Sequence, residues 1–316
     1  MDKLEMQSLL KRLGHVDDQT ELEDGVIRFQ KHVGLDQDGI VGPRTTAALL
    51  RCQAGLARAP EALTRCQPFR LTTYYVSDER SYAEVPVIPV YTGTMQVLAR
   101  VPASYFAEMS IEGTGRLRDG RLINVAGGFV DVPADEYEPV GAYYQRYAER
   151  MRARGREPKP SYYFGVRIDA KGQVNQALAF LEKAEIGKGY GIEKRKNPID
   201  GKTYEIALDP FRTLAADLGL GSKSEPRFKG RGGLCPVGTR IWILEYLGIA
   251  LPDGTTHDGW FTVADTGGGI FGLHADIFAG TPALLSKTPH PERSHVWFAG
   301  VEEKCSVSYD YGLYDA

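Results

Sequence analysis

Two aspartates, Asp265 and Asp276, stand eleven positions apart, each at the end of an apolar segment. Phe261–Ala264 leads into the first as a buried strand would, and Ile277 and Phe278 follow the second. Between them Gly267, Gly268 and Gly269 permit a reversal too tight for side chains. A carboxylate fixed on a strand edge beside such a turn is held rigidly in a groove, which general acid/base chemistry requires. Against this stands the plainer role of an Asp near Gly, which bonds its own backbone to make a turn. His274 lies two positions before Asp276, so strand alternation gives it the same face.

Such a pair has to be carried by strands, and the chain supplies them. Leu71–Val76, Val85–Tyr91, Met95–Val101, Tyr162–Ile168, Thr203–Ala207, Thr239–Tyr246, Trp260–Ala264, Ala275–Phe278 and His295–Ala299 are rich in β-branched and aromatic residues. Residues 111–124 read as a hairpin turning at Asp119-Gly120, while 139–155 and 173–185 read as helices decorating the strands. The start differs. Leu4, Leu9, Leu10 and Leu13 recur at helical spacing before Gly14, and Leu22, Val26, Ile27 and Phe29 repeat the pattern before Gly34. Pro43 then opens a third helix without losing a backbone bond. Leu10, Ile27, Phe29, Ile40 and Leu49 offer these helices a core. The expected fold class is α+β: a three-helix domain over 1–55, an Ala/Gly/Arg/Pro linker over 56–68, and a mainly β barrel over 69–316 with helical insertions around 130–200.

Bulk properties narrow the partners. Of 316 residues 42% are hydrophobic and 25% charged, with net charge −3, so nothing advertises nucleic acid. No stretch approaches the length of a membrane span. The first ten residues lack the basic lead and apolar run of a signal peptide and read as a helix start. Of the four cysteines, Cys52 and Cys66 are placed either for a local bridge or as buried thiols. None has metal-ligand spacing, and neither a metal nor another cofactor is expected.

The segment Asp265-Thr-Gly-Gly-Gly-Ile-Phe-Gly, with Asp276 after it, resembles the signature of the three-aspartate domain shared with the membrane-bound lytic transglycosylase A family. Arg70-Leu-Thr-Thr-Tyr-Tyr75, Leu214-Ala-Ala-Asp217, Pro236-Val-Gly-Thr239 and Ser294-His-Val-Trp297 resemble further pieces of that family. The chain departs from the pattern at Phe271, where the family has Lys, and at Gly269, where it has Ala. At the other end Phe29-Gln30, Gly34-Leu35, Asp38-Gly39 and Gly42-Pro-Arg-Thr45 resemble the three-helix peptidoglycan-binding domain.

These resemblances imply a six-stranded double-psi β-barrel acting on peptidoglycan glycan strands at the bond between N-acetylmuramic acid and N-acetylglucosamine. They assign Asp276 as the acid/base and Asp265 and Asp217 as supporting carboxylates. Thr73, Tyr75, Gly267 and Gly268 are expected to line the groove. A wall-cutting protein has to reach the periplasm; a type VI secretion carrier or phage lysis is the expected route, with ordinary export as the alternative, and an immunity or inhibitor protein is a candidate partner there. Two other readings compete. A barrel can grip glycan without cutting it, and Asp265-Thr-Gly mimics half of an aspartic-protease dyad, which needs two such aspartates.

Overall fold

The computed structural model describes residues 1–58, 63–183, 190–196, 202–216, 237–265, 270 and 274–299. Three helices open the chain: α1 (Lys3–Arg12), α2 (Leu22–His32) and α3 (Pro43–Leu56). Asp2 caps α1 reciprocally with Glu5, two otherwise orphaned N–H groups being satisfied at once. Gly42-Pro43 starts α3 as expected. The next described element is the strand β1 (Leu63–Tyr74). The stretch read as a linker therefore contains the end of α3 and the beginning of a long strand, whose pairing with another strand overrides its loop-like composition.

Two compact units result. The described residues of Met1–Thr73, Glu193–Ala279 and those from Leu284 onward form the first; Tyr74–Ile192 with Gly280–Ala283 form the second. The second unit is thus larger than the insertion expected around 130–200. It contains β2 (Ser77–Asp78), β3 (Ile88–Tyr91), β4 (Val97–Val101), α4 (Ala103–Glu112) and β5 (Thr114–Arg116). β6 (Leu122–Asp131), α5 (Ala134–Ala153), β7 (Val166–Ile168) and β8 (Val174–Lys183) complete it. Its five-stranded sheet runs β2-β5-β6-β8-β7 over a core that includes Tyr105, Phe106, Tyr137 and Phe180. The expected hairpin is β5–β6, with Gly120 at φ 95° in its turn. The expected helix over 173–185 is instead β8. Ala, Leu, Glu and Lys favour a helix locally, but ladders to both β6 and β7 decide the outcome.

The first unit holds β9 (whose range, Ile192–Lys196, begins one residue before it), β10 (Thr203–Ala207), β11 (Thr213–Ala216), β12 (Arg240–Ile243), β13 (Trp260–Asp265), β14 (His274–Phe278) and β15 (Arg293–Ala299). Six strands close into a barrel in the order β1-β14-β11-β13-β12-β15. The α+β class and the six-stranded barrel are as expected. Phe69, Leu71, Leu214, Ile241, Phe261, Val263, Ile277 and Val296 fill its interior. His257, fully buried, donates from Nε2 to the Phe211 carbonyl at 2.5 Å and accepts from the Gly259 N–H at Nδ1, 2.8 Å. Burial pushes its pKa down to about 4, so the ring stays neutral and keeps both bonds.

The helices do not enclose a core by themselves. Leu10, Phe29 and Leu49 are buried as expected, but Ile40 is 65% exposed. Ile27 is only partly buried, and Trp242, Leu244 and Trp297 share one cluster with Leu9, Leu13, Val26 and Leu56. Gly259 belongs to this joint. It has φ +85°, and a Cβ there would lie 2.4 Å from Trp242 Nε1. Gly259→Ala is expected to cost about 2–4 kcal/mol through overpacking and backbone strain, read as a lowered urea midpoint with an unchanged m-value. Among the described residues no helix is long and apolar enough to cross a membrane.

Candidate active site

Alternation along the barrel strands decides which polar residues meet. On β14, Ala275 and Ile277 point into the core, so Asp276 occupies the opposite row. On β11, Leu214 and Ala216 point inward and Ala215 lies between them. Ala215 pairs with Asp276 on one side and with Asp265 on the other. The second pairing needs a register shift: Leu214 faces Val263, yet Ala215 faces Asp265, with Ala264 passed over. Without that shift Asp265 would follow Val263 into the apolar interior. A bulge that re-aims one side chain brings the two carboxylates to the row flanking Ala215.

β1 lies on the other side of β14. Phe69 and Leu71 are core residues, so Arg70 and Thr72 share the row of Asp276. Thr72 Oγ1 donates to Asp276 Oδ1 at 2.7 Å and lies 2.8 Å from His274 Nε2. A hydroxyl carries one proton. With Asp276 ionised, the proton goes to the carboxylate and His274 donates to the hydroxyl; with Asp276 protonated, the direction of donation along the chain can reverse.

Asp276 is partly buried. Burial raises its pKa most; the Thr72 hydrogen bond opposes the rise, the Asp265 charge adds to it, and Arg70 opposes it. The balance pushes the carboxyl up to about 6. A carboxylic acid titrating at about 6 keeps a usable protonated fraction close to neutrality, and is suited to protonate a leaving oxygen and then take a proton back.

The other candidates are placed as follows. Thr73, partly buried, has the parity of Phe69 and Leu71, whereas its neighbour Thr72 makes the contact to Asp276. Tyr75 belongs to the second unit, where its N–H is bonded to Glu112 and its hydroxyl donates to Glu108 at 3.0 Å. Burial and the two carboxylates raise its pKa. Asp217, Gly267, Gly268, Gly269 and Phe271 lie outside the described residues. Thr72 and Arg70 went unassigned in the sequence, although the parity of Phe69 and Leu71 was available to find them. Cys52 is a buried free thiol, not half of a bridge.

No curated protein sequence matches the chain. Among solved structures, Escherichia coli MltA with bound chitohexaose is similar at 13% identity over 93% of this chain and 89% of that one, TM-score 0.41. A membrane-bound lytic murein transglycosylase from Agrobacterium tumefaciens follows at 14% identity, 94% and 91% coverage, TM-score 0.38. The lytic transglycosylase LtgG of Burkholderia pseudomallei stands at 15% identity, 82% and 84% coverage, TM-score 0.31. Helices α1 to α3 coincide with a recognised module: residues 4–49 match the family model of the putative peptidoglycan binding domain.

Proposed function

We propose that this chain cuts peptidoglycan glycan strands as a lytic transglycosylase, with Asp276 as its single acid/base. The observation that carries the reading is the Asp276 carboxyl, held protonated up to about pH 6 beside Asp265 in the same unit as the helices that match a peptidoglycan-binding domain. That domain match supports a role at the cell wall.

The chemistry needs one well-placed carboxyl group. Asp276 gives its proton to the glycosidic oxygen as the bond from C1 breaks and positive charge develops on the sugar. The muramic acid's own C6 hydroxyl then bonds to C1, and its proton returns to Asp276. The products are a free sugar hydroxyl and a 1,6-anhydro end, with no water consumed. Burial does most to raise the acid's proton affinity, and the like charge of Asp265 adds to it. Asp217 is assigned with it as a supporting carboxylate, and the barrel as double-psi, on the sequence resemblance alone. Thr72 and His274 orient the carboxyl.

The test is digestion of purified sacculi followed by mass spectrometry of the soluble fraction. Muropeptides lighter than their reducing-end counterparts by one water are expected. Reducing ends would convert the assignment to hydrolysis, and co-sedimentation with no soluble product would leave only a wall-binding module.

A further inference from the structure

Four polar side chains converge where helix α2 meets the barrel, away from the carboxylates of β13 and β14. His15 and His295 are wholly buried, His32 nearly so, and Glu245, in the short 3-10 helix Leu244–Tyr246, is partly exposed. One donor atom from each of His32, Glu245 and His295 lies within 4.8 Å of the other two. Glu245 is gripped at both oxygens: Oε2 accepts from the His295 backbone N–H at 2.9 Å, and Oε1 lies 2.6 Å from His295 Nδ1. The other ring nitrogen of His295 faces His15 Nε2 at 2.9 Å. Three buried imidazoles beside a partly exposed carboxylate are an unusual use of apolar interior, since uncompensated polar burial costs stability.

We propose that His32, Glu245 and His295 bind a zinc ion that ties α2 to the barrel strand β15. Two imidazoles and one carboxylate are a donor set suited to zinc, which takes such ligands at about 2.0–2.2 Å and therefore holds them about 3.4 Å apart. Small movements of the side-chain tips bring the present spacing to that value. With zinc on Nδ1 of His295, its Nε2–H donates to His15, the outer hydrogen bond that fixes a ligating imidazole's tautomer. A cavity of about 1040 Å³ lined by His32 and Glu245, together with Cys52 and Arg293, gives a metal ion a route to two of the three ligands. Sequence spacing gave no warning of the site, because its ligands come from positions 32, 245 and 295.

The experiment uses the full chain, stripped of metal with a chelator and titrated calorimetrically with zinc chloride. One zinc per chain is expected, with a higher Tm for the loaded protein and no such effect from magnesium. Cobalt(II) in place of zinc is expected to give the visible bands of a tetrahedral nitrogen/oxygen site; a thiolate charge-transfer band would assign the metal to cysteine and overturn the proposal. Glu245→Gln and His32→Asn should each weaken binding at least tenfold, whereas His290→Asn, at an exposed histidine, should not. Absence of saturable one-to-one binding by the unmodified chain overturns the proposal without any variant, and so does unchanged affinity in the Glu245→Gln/His32→Asn double variant. Binding is read without glycan cleavage, so the result is independent of the fate of Asp276.

Discussion

Asp276→Asn is expected to lower the release of anhydromuropeptides from sacculi by about 10²–10⁴-fold, the usual worth of a positioned general acid. The amide has nearly the same shape, and its oxygen can still accept from Thr72 Oγ1. It has no proton of suitable acidity to give to the glycosidic oxygen, and none to recover from the attacking hydroxyl. Sedimentation with sacculi should be unchanged, because the residues matching the wall-binding module are 4–49. The unsubstituted protein should show the same dependence through pH. With the acid titrating at about 6, its rate should fall about tenfold for each unit above that value. A variant as active as the parent would remove Asp276 from the reaction.

The same substitution is expected to make the protein more stable at neutral pH, by about 2–3 kcal/mol. The sign follows from the direction of the shift. An unfolded Asp ionises near about 3.9, whereas the folded side chain holds its proton up to about 6. Between those values the folded state binds more protons, so stability falls as pH rises from about 4 to about 6 and then levels off. Asn is neutral throughout and escapes that loss. Urea unfolding should therefore show little difference between the two proteins below about pH 4 and the full gap above about pH 6.5. A gap that is independent of pH would mean that hydrogen bonding or packing, not the buried charge, separates them. Gaining stability while losing activity is the expected signature of a site that is strained for function.

What the sequence made legible depended on whether local pattern and tertiary packing agree. Of Leu4, Leu9, Leu10 and Leu13, which recur at helical spacing, the last three are buried and Leu4 is exposed. Trp260–Asp265 and His274–Phe278 are strands where alternating apolar residues said so. The disagreement over 173–185 arose because Gln176, Ala177, Leu178, Glu182 and Lys183 carry helical preference while their burial is decided by two neighbouring strands. At the site, the proximity of Asp265 and Asp276 was readable from a glycine-rich turn between two apolar runs. The reason they share a face was not, since it rests on a one-residue slip against β11 that no pattern of residue types announces. That Thr72 and not Thr73 touches Asp276 has a related reason: a strand's two faces differ by a single position, and only the filled core says which is which.

The aromatic seam between α1–α3 and the barrel sets a mechanical limit on the proposed enzyme. Because Trp242, Leu244 and Trp297 complete the helices' own interior, the anchoring module cannot swing on a leash. A glycan chain seized by the helices would meet the acid at one fixed offset and angle, so cleavage would sample a narrow set of linkages per docking event. Reach would come from letting go and landing again.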